Sequence, residues 1–183
     1  DNMYRSQYIT VGGLEQMDLV NYQSSNDIFK NFWQSSFNGI FRANSVLKYL
    51  DVPNDYVGTL KDQLEGEAKF MRALFYFDLV RAFGGVPEVT KLLSVEEARE
   101  IPRASQKEIY DLIKEDLLSA IGKLPPYSNI AKGRASKEAA IALLGKVYIY
   151  TEEWELADKT LSGVIGTRFD LIDHYADLWK EGS

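Results

Sequence analysis

The chain has 183 residues, enough for one domain with a hydrophobic core of its own. Hydrophobic residues make up 45% of it and aromatic residues 13%, which excludes an intrinsically disordered chain. The net charge of -6 and the lack of a basic cluster make nucleic acid an unsuitable partner. Because the chain contains no cysteine, a disulfide framework, a thiolate metal site and a cysteine nucleophile are also excluded.

Neither a membrane span nor a secretory signal is visible in the sequence. Purely apolar runs such as residues 73–77 are far too short to cross a bilayer. The sequence starts at Asp1 without a methionine and stops at Ser183, shortly after an aromatic-rich segment. We therefore expect a piece of a longer protein, in which a signal peptide or a cysteine for lipid attachment lies upstream.

The N-terminal segment, residues 1–26, shows no sustained hydrophobic period. Its tyrosines and asparagines are interspersed with a glycine pair and a serine pair, which predicts a long ordered loop with at most one short helix. From Asp27 to Leu50, apolar residues recur at steps of three and four, as is typical of a helix. Asp27 is the expected N-cap, and Pro53 closes this region.

A second helix is predicted over residues 56–83, and its C-terminal half is apolar on almost every side. Only Arg72, Asp78 and Arg81 are charged there, so other helices must cover it nearly all round. A guanidinium buried in such a helix needs a carboxylate partner. Asp78 and Arg81 are expected to pair because they lie three residues apart. Two glycines from Gly84 onwards supply the backbone freedom that ends the helix.

The next segment, residues 84–104, is a long connection without clear periodicity. Ser105 and Glu108 then have the spacing of a capping box at the start of an amphipathic helix that ends near Leu124, before two prolines. Ser136 is the expected cap of the helix that follows. Since no segment alternates apolar and polar residues with the period of a half-buried strand, the predicted fold class is all-α.

The last two predicted helices, residues 137–150 and 153–165, fit the tetratricopeptide consensus. Helix axes in such a hairpin approach to roughly 8–10 Å only where the side chains between them are short. Gly145 and Ala157 hold the two small positions, and Tyr148 holds the aromatic position.

The apolar helix matches the same consensus a second time, with Ala73 in the glycine position and Tyr76 three residues later. An insertion within such a repeat is where a repeat protein can carry a surface of its own. The predicted organisation is a single helical domain over residues 1–183 that contains a loop-rich segment (1–26), a helical pair (27–83), a split repeat (66–125) with an insertion (84–104), and a second repeat (137–166).

No motif for catalysis or metal binding is present. His174 is the only histidine, so a histidine metal cluster cannot form and a Ser-His-Asp triad is not indicated. Neither a phosphate-binding loop nor a dinucleotide-binding glycine motif occurs. Trp154 resembles a tryptophan that opens a repeat helix and packs on its neighbours, with no ligand role. We expect a protein that is not an enzyme and that uses no metal and no cofactor.

The apolar helix and the glycines after it, residues 66–87, resemble the hallmark segment of the SusD/RagB family. Four further segments resemble characteristic segments of that family: residues 33–44, 101–117, 133–144 and 169–179. No single segment is decisive, but the five stand in the right order and span nearly the whole chain.

This resemblance implies a SusD-like α/α superhelix of tetratricopeptide-like hairpins with long loops. It implies a non-catalytic, surface-exposed lipoprotein of the Bacteroidetes outer membrane, which captures oligosaccharide and delivers it to a SusC-like TonB-dependent transporter. In such families the repeats are commonly assigned to the transporter contact, and variable loops to the ligand. The chain would be the N-terminal part of such a protein, attached to the membrane only through a lipid anchor outside this sequence.

Oligosaccharide binding needs aromatic faces for the apolar side of a pyranose ring and planar polar groups for its hydroxyls. The N-terminal loop offers both kinds of side chain close together in sequence. The candidate ligand-binding residues are Tyr4, Arg5, Tyr8, Tyr22, Gln23 and Asn26. The identity of the glycan and the oligomeric state cannot be derived from these residues.

A different class of function is an alternative: a tetratricopeptide adaptor that binds peptide in a concave groove. Short, regular turns between the repeats would favour it. The long insertion over residues 84–104 counts against it.

Overall fold

The computed structural model describes residues 26–165, and within this range the chain is helical without a β-strand. An isolated antiparallel bridge joins Pro87 to Arg103. The elements in chain order are α1 (Asp27–Tyr49), α2 (Leu60–Phe83), α3 (Val95–Glu100), α4 (Gln106–Lys123), a 3-10 turn (Tyr127–Asn129), α5 (Lys137–Tyr150) and α6 (Trp154–Ser162).

The N-cap of helix α1 lies one residue earlier than the sequence predicts. The Asn26 side chain accepts a hydrogen bond of 2.9 Å from the backbone N–H of Ile28, so Asn26 is the N-cap, and the prediction that Asp27 caps this helix was wrong. Asp27 instead occupies the first turn, where its negative charge favours the positive end of the helix dipole.

Helix α2 begins at Leu60, later than the predicted start at residue 56. Gly58 lies just before it with φ +59, and a turn from Val57 to Leu60 precedes the helix. At the other end the chain leaves the helix at Gly84 with φ +75, a conformation that favours glycine. The sequence prediction for this helix end is therefore confirmed.

Helix α4 has the capping box predicted from its sequence. The Ser105 hydroxyl accepts from the Glu108 N–H at 3.2 Å, and the Glu108 carboxylate accepts from the Ser105 N–H at 2.7 Å. Its apolar stripe packs on α2 and is buried at Ile109, Ile113 and Leu117. The packing of this apolar stripe, more than helix propensity, stabilises α4 and fixes its position on α2.

The second hairpin consists of α5 and α6. Ser136 caps α5 as predicted, and α6 is shorter than predicted because it ends at Ser162. A Cβ at Gly145 would lie 2.4 Å from Leu161, so the glycine allows α6 to approach closely. Ala157 and Tyr148 are buried in the same hairpin.

The helices pack in sequence, α1 on α2, α2 on α4, α4 on α5 and α5 on α6. The helix pairs expected from the repeat pattern, α2 with α4 and α5 with α6, are therefore in contact. Ala73 and Tyr76 are fully buried in the first pair. This is the tetratricopeptide-like architecture predicted from the sequence, while the boundaries of the whole domain stay a prediction.

Candidate functional site

The insertion between α2 and α4 is a folded segment. It returns to its starting point through the Pro87–Arg103 bridge, in which the Ala104 N–H donates to the Val86 carbonyl at 3.0 Å. Arg103 donates to the carbonyls of Gly85 and Phe83 at 2.6 and 2.7 Å. The short helix α3 lies within it, with a capping box of its own at Ser94. The sequence of the insertion lacks a hydrophobic period because its helix and its bridge are short, and the segment is nevertheless folded.

A buried arginine connects this insertion to the helices. Arg72 donates two hydrogen bonds of 2.7 Å to the two carboxylate oxygens of Asp116 on α4. The Nη1 nitrogen of Arg72 donates to the Asn44 side-chain oxygen at 2.8 Å and to the Thr90 carbonyl at 3.1 Å. Burial by itself would lower the pKa of Arg72, but hydrogen bonds to Asp116 and its charge raise that pKa. The guanidinium therefore stays charged and orders its neighbours.

Two more buried side chains hold the strand-like part of the insertion. Asn44 on α1 donates to the carbonyl of Val89 at 2.9 Å, and the Tyr76 hydroxyl accepts from the Val89 N–H at 2.6 Å. Burial raises the pKa of Tyr76 to about 12. Among the described residues, every buried side-chain nitrogen or oxygen has a hydrogen-bond partner. Helices α1, α2 and α4 thus fix the place of the insertion.

The sequence predicted some of the ion pairs of α2 but not all of their partners. It identified Arg72 as needing a carboxylate and expected Asp78 to pair with Arg81, and both expectations hold. It did not find Asp116, because the partner stands 44 residues away on another helix. The single polar position in the buried stripe of α4 was the available signal.

A groove of about 620 Å³ lies between α1 and α2. Its walls are mainly apolar, and the Phe75 ring lies against α1 where a Cβ at Gly39 would come within 2.1 Å of it. Its lining also includes the planar polar side chains of Asn38, Arg42 and Glu67. Such a surface suits a ligand that has both an apolar face and hydrogen-bonding groups.

The polar side of this groove is held in place by an ion pair. Arg134, from the loop before α5, donates two hydrogen bonds of 2.7 and 2.5 Å to the Glu67 carboxylate. This two-pronged geometry fixes the carboxylate more firmly than a single contact would. The ion pair therefore connects the first helical pair, at the wall of the groove, to the loop before the second repeat.

The sequence-predicted ligand residues lie almost entirely outside the described residues. This applies to Tyr4, Arg5, Tyr8, Tyr22 and Gln23. Asn26 is described, and it is buried as the N-cap of α1. Its side chain has a structural task at the start of the helix, and its role in ligand binding stays a prediction.

The described part of the chain contains no group of three or more histidine, cysteine or acidic side chains that could hold a metal ion. His174 lies outside it. Within residues 26–165, no helix is both long and apolar enough to cross a membrane.

The fold places this chain among tetratricopeptide-like α/α proteins. A family profile described as "Starch-binding associating with outer membrane" (SusD-like) matches residues 2–149. The chain therefore belongs to the SusD-like family, as the resemblance predicted.

Relatives of known sequence and structure agree with this assignment. SusD-like protein P38 of Formosa agariphila is 33% identical over 91% of this chain and 33% of its own length. A SusD-like protein of Bacteroides fragilis of known crystal structure is 33% identical, with a TM-score of 0.78 over 86% of this chain and 31% of that one. A structure described as a laminarin-binding SusD-like protein is 37% identical, with a TM-score of 0.76 over 81% of this chain and 34% of that one. The chain spans about a third of the length of these relatives.

Proposed function

We propose that the full-length protein captures oligosaccharide at the outer membrane without chemically changing it. The observation that carries this proposal is the match of residues 2–149 to a family described as starch-binding and associated with the outer membrane. A relative 37% identical to this chain is described as binding laminarin, which makes a glucan a reasonable first probe. The absence of a catalytic motif in the sequence supports binding rather than turnover.

We further propose that the captured glycan is passed to a SusC-like TonB-dependent transporter, and that a lipid anchor outside residues 1–183 attaches the protein to the cell surface. The insertion is held in place on the helical scaffold, and it provides a surface through which the protein can contact such a partner. The family assignment favours this function over a general peptide-binding adaptor.

Residues 1–26 remain our proposed ligand-binding segment. They offer aromatic rings at Tyr4, Tyr8 and Tyr22, and planar polar groups at Arg5, Gln23 and Asn26. The Asn26 side chain also caps α1.

Calorimetry of the full-length protein against laminarin and malto-oligosaccharides tests the proposal. Binding without release of shorter sugars is the expected result. Sugar release detected by chromatography would overturn the non-catalytic assignment, and absence of binding to a broad glycan panel would overturn carbohydrate capture. Co-purification of a TonB-dependent transporter with the tagged protein tests the delivery step separately.

A further inference from the structure

One end of the helical bundle exposes two large aromatic side chains. Trp154 at the start of α6 is 62% exposed, and Tyr150 at the end of α5 is 49% exposed. The expectation that Trp154 packs on its neighbours was therefore wrong. We call Tyr150 and Trp154 the aromatic strip.

An arginine lies at the α2 end of the aromatic strip. The Arg81 guanidinium lies 4.6 Å from the centre of the Phe77 ring and 5.8 Å from that of Tyr150. Phe77 meets Tyr150 edge-on at 5.1 Å, which fixes the orientation of the Tyr150 ring. Asp78 forms an ion pair with Arg81. The Tyr150 ring and the planar Arg81 side chain are therefore held next to each other.

A second set of charged groups lies at the α6 end. Lys114 donates to the Glu153 carboxylate at 2.9 Å and lies 3.1 Å from Asp111. Thr151 donates to the same carboxylate at 2.6 Å. The surface of the turn around Trp154 is formed by Glu152, Glu153, Glu155 and Leu156. The exposed indole therefore stands beside ordered hydrogen-bonding groups.

The turn that presents the two exposed aromatics has a fixed backbone. The Glu153 N–H donates to the Tyr148 carbonyl at 2.9 Å, and the Thr151 N–H to the Val147 carbonyl at 3.0 Å. Glu152 adopts φ +60, an uncommon conformation for a residue other than glycine. A platform ordered before the ligand arrives loses less conformational entropy on binding.

Arg81 pairs with Asp78 and Lys114 with Glu153, while Glu152 and Glu155 beside Trp154 add negative charge. This negative charge disfavours a nucleic acid or another anion as the ligand, and the described residues contain no group of acidic side chains that could hold a metal ion. A neutral sugar fits better, since its ring presents an apolar face to an aromatic side chain and its hydroxyls exchange hydrogen bonds with carboxylate, ammonium and guanidinium groups.

We propose that the aromatic strip is a second glycan-binding surface, in which Trp154 and Tyr150 stack on sugar rings and the flanking ion pairs bind their hydroxyls. This inference rests on the proposed carbohydrate binding, and it places a further contact on the helical repeats in addition to the one proposed for residues 1–26. The ligand is a neutral oligosaccharide long enough to span both aromatic side chains.

The test uses the full-length protein with laminari-oligosaccharides and malto-oligosaccharides as probes. Trp154→Ala and Tyr150→Ala should each weaken binding roughly three- to tenfold, the effect of losing one stacking contact. Trp154→Phe should retain part of the affinity. Phe41→Ala is the matched control, since it removes an aromatic side chain that is 56% exposed on α1, away from the strip.

A second readout reports contact directly. The indole N–H resonance that is missing from Trp154→Phe identifies Trp154 in the nuclear magnetic resonance spectrum, and it should shift on titration with the sugar. If the wild-type protein binds a glycan, and Trp154→Ala and Tyr150→Ala bind it equally well without an indole shift, the aromatic strip is overturned and carbohydrate capture stands. If the wild-type protein binds neither probe nor any other glycan, both proposals fall.

Discussion

Arg72 on α2 and Asp116 on α4 form a buried, two-pronged ion pair in which each hydrogen bond measures 2.7 Å. The same guanidinium also reaches Asn44 on α1 and the backbone of the insertion at Thr90. A single side chain thus ties three helices to the segment that interrupts the first repeat. Because water is excluded here, removing one partner leaves the other charged and unpaired.

Asp116→Ala should destabilise the protein by about 3–5 kcal/mol, since it strands the buried Arg72 guanidinium. Chemical denaturation followed by circular dichroism measures this change. The double substitution Arg72→Met with Asp116→Leu should recover only part of the loss, because no charge is left unpaired but the Asn44 side-chain oxygen and the Thr90 carbonyl lose their donor. An equal loss in the double variant would show that the pair itself is needed.

The control for this pair is an exposed one. Lys107 and Asp111 lie one turn apart at the start of α4, and Lys107 is largely in solvent. Lys107→Ala should leave the melting temperature almost unchanged, because exposed ion pairs contribute little. A large drop would indicate that α4 depends on surface charge rather than on its buried face.

Tyr76→Phe should destabilise the protein at neutral pH by about 1–3 kcal/mol, since the buried N–H of Val89 loses its acceptor. It should also change the response to alkali. Burial raises the pKa of Tyr76 from its ordinary value of 10.0 to about 12 in the folded protein, so the stability from its neutral form is present below pH 10 and is lost as the pH rises towards 12.

Melting curves between pH 8 and 12 measure this difference. The wild type should lose about 2–3 kcal/mol more than Tyr76→Phe over that range, because the pKa of Tyr76 is about 12 in the folded protein and 10.0 in the unfolded chain. Parallel curves for the two proteins would mean that Tyr76 does not titrate as its burial indicates.

Gly85→Ala and Gly122→Ala should have opposite effects. A Cβ at Gly85 would lie 2.1 Å from the backbone oxygen of Ala104, so the return of the insertion would have to move, at a cost of about 1–3 kcal/mol. A Cβ at Gly122 in α4 meets nothing within 4 Å, and alanine there should stabilise the helix by up to about 1 kcal/mol. Equal melting temperatures would argue against the close approach at Gly85.

Ala157→Trp should separate α5 from α6 and cost at least about 1–3 kcal/mol through overpacking, because Ala157 is 4% exposed. Lys159→Trp adds the same side chain to an exposed position of the same helix and should be close to neutral. Unchanged melting of Ala157→Trp would refute the repeat register derived from Gly145 and Ala157.

Tyr22→Ala in the full-length protein should weaken glycan binding without altering stability, because we propose that its ring contacts the sugar. Isothermal calorimetry with the best-binding oligosaccharide measures the change, and a melting curve checks the fold. Affinity equal to that of the wild type would remove Tyr22 from the site.

Short-range features were readable from the sequence because their partners are a few residues apart. Ser105 and Glu108 form a capping box within one turn, and Gly84 ends α2 through its own backbone freedom. The small residues Gly145 and Ala157 indicated where two neighbouring helices touch. The all-helical, repeat-based fold and the family followed from such signals.

The tertiary structure decided what depends on distant segments. Asp116 became the partner of Arg72 only when α4 packed on α2, and Asn44 met the insertion from a third helix. The exposure of Trp154 likewise depends on how the hairpin sits in the domain, since a repeat consensus describes which positions pack on average. Sequence patterns report spacing along one element, whereas ion pairs between helices and exposed surfaces are properties of the packed assembly.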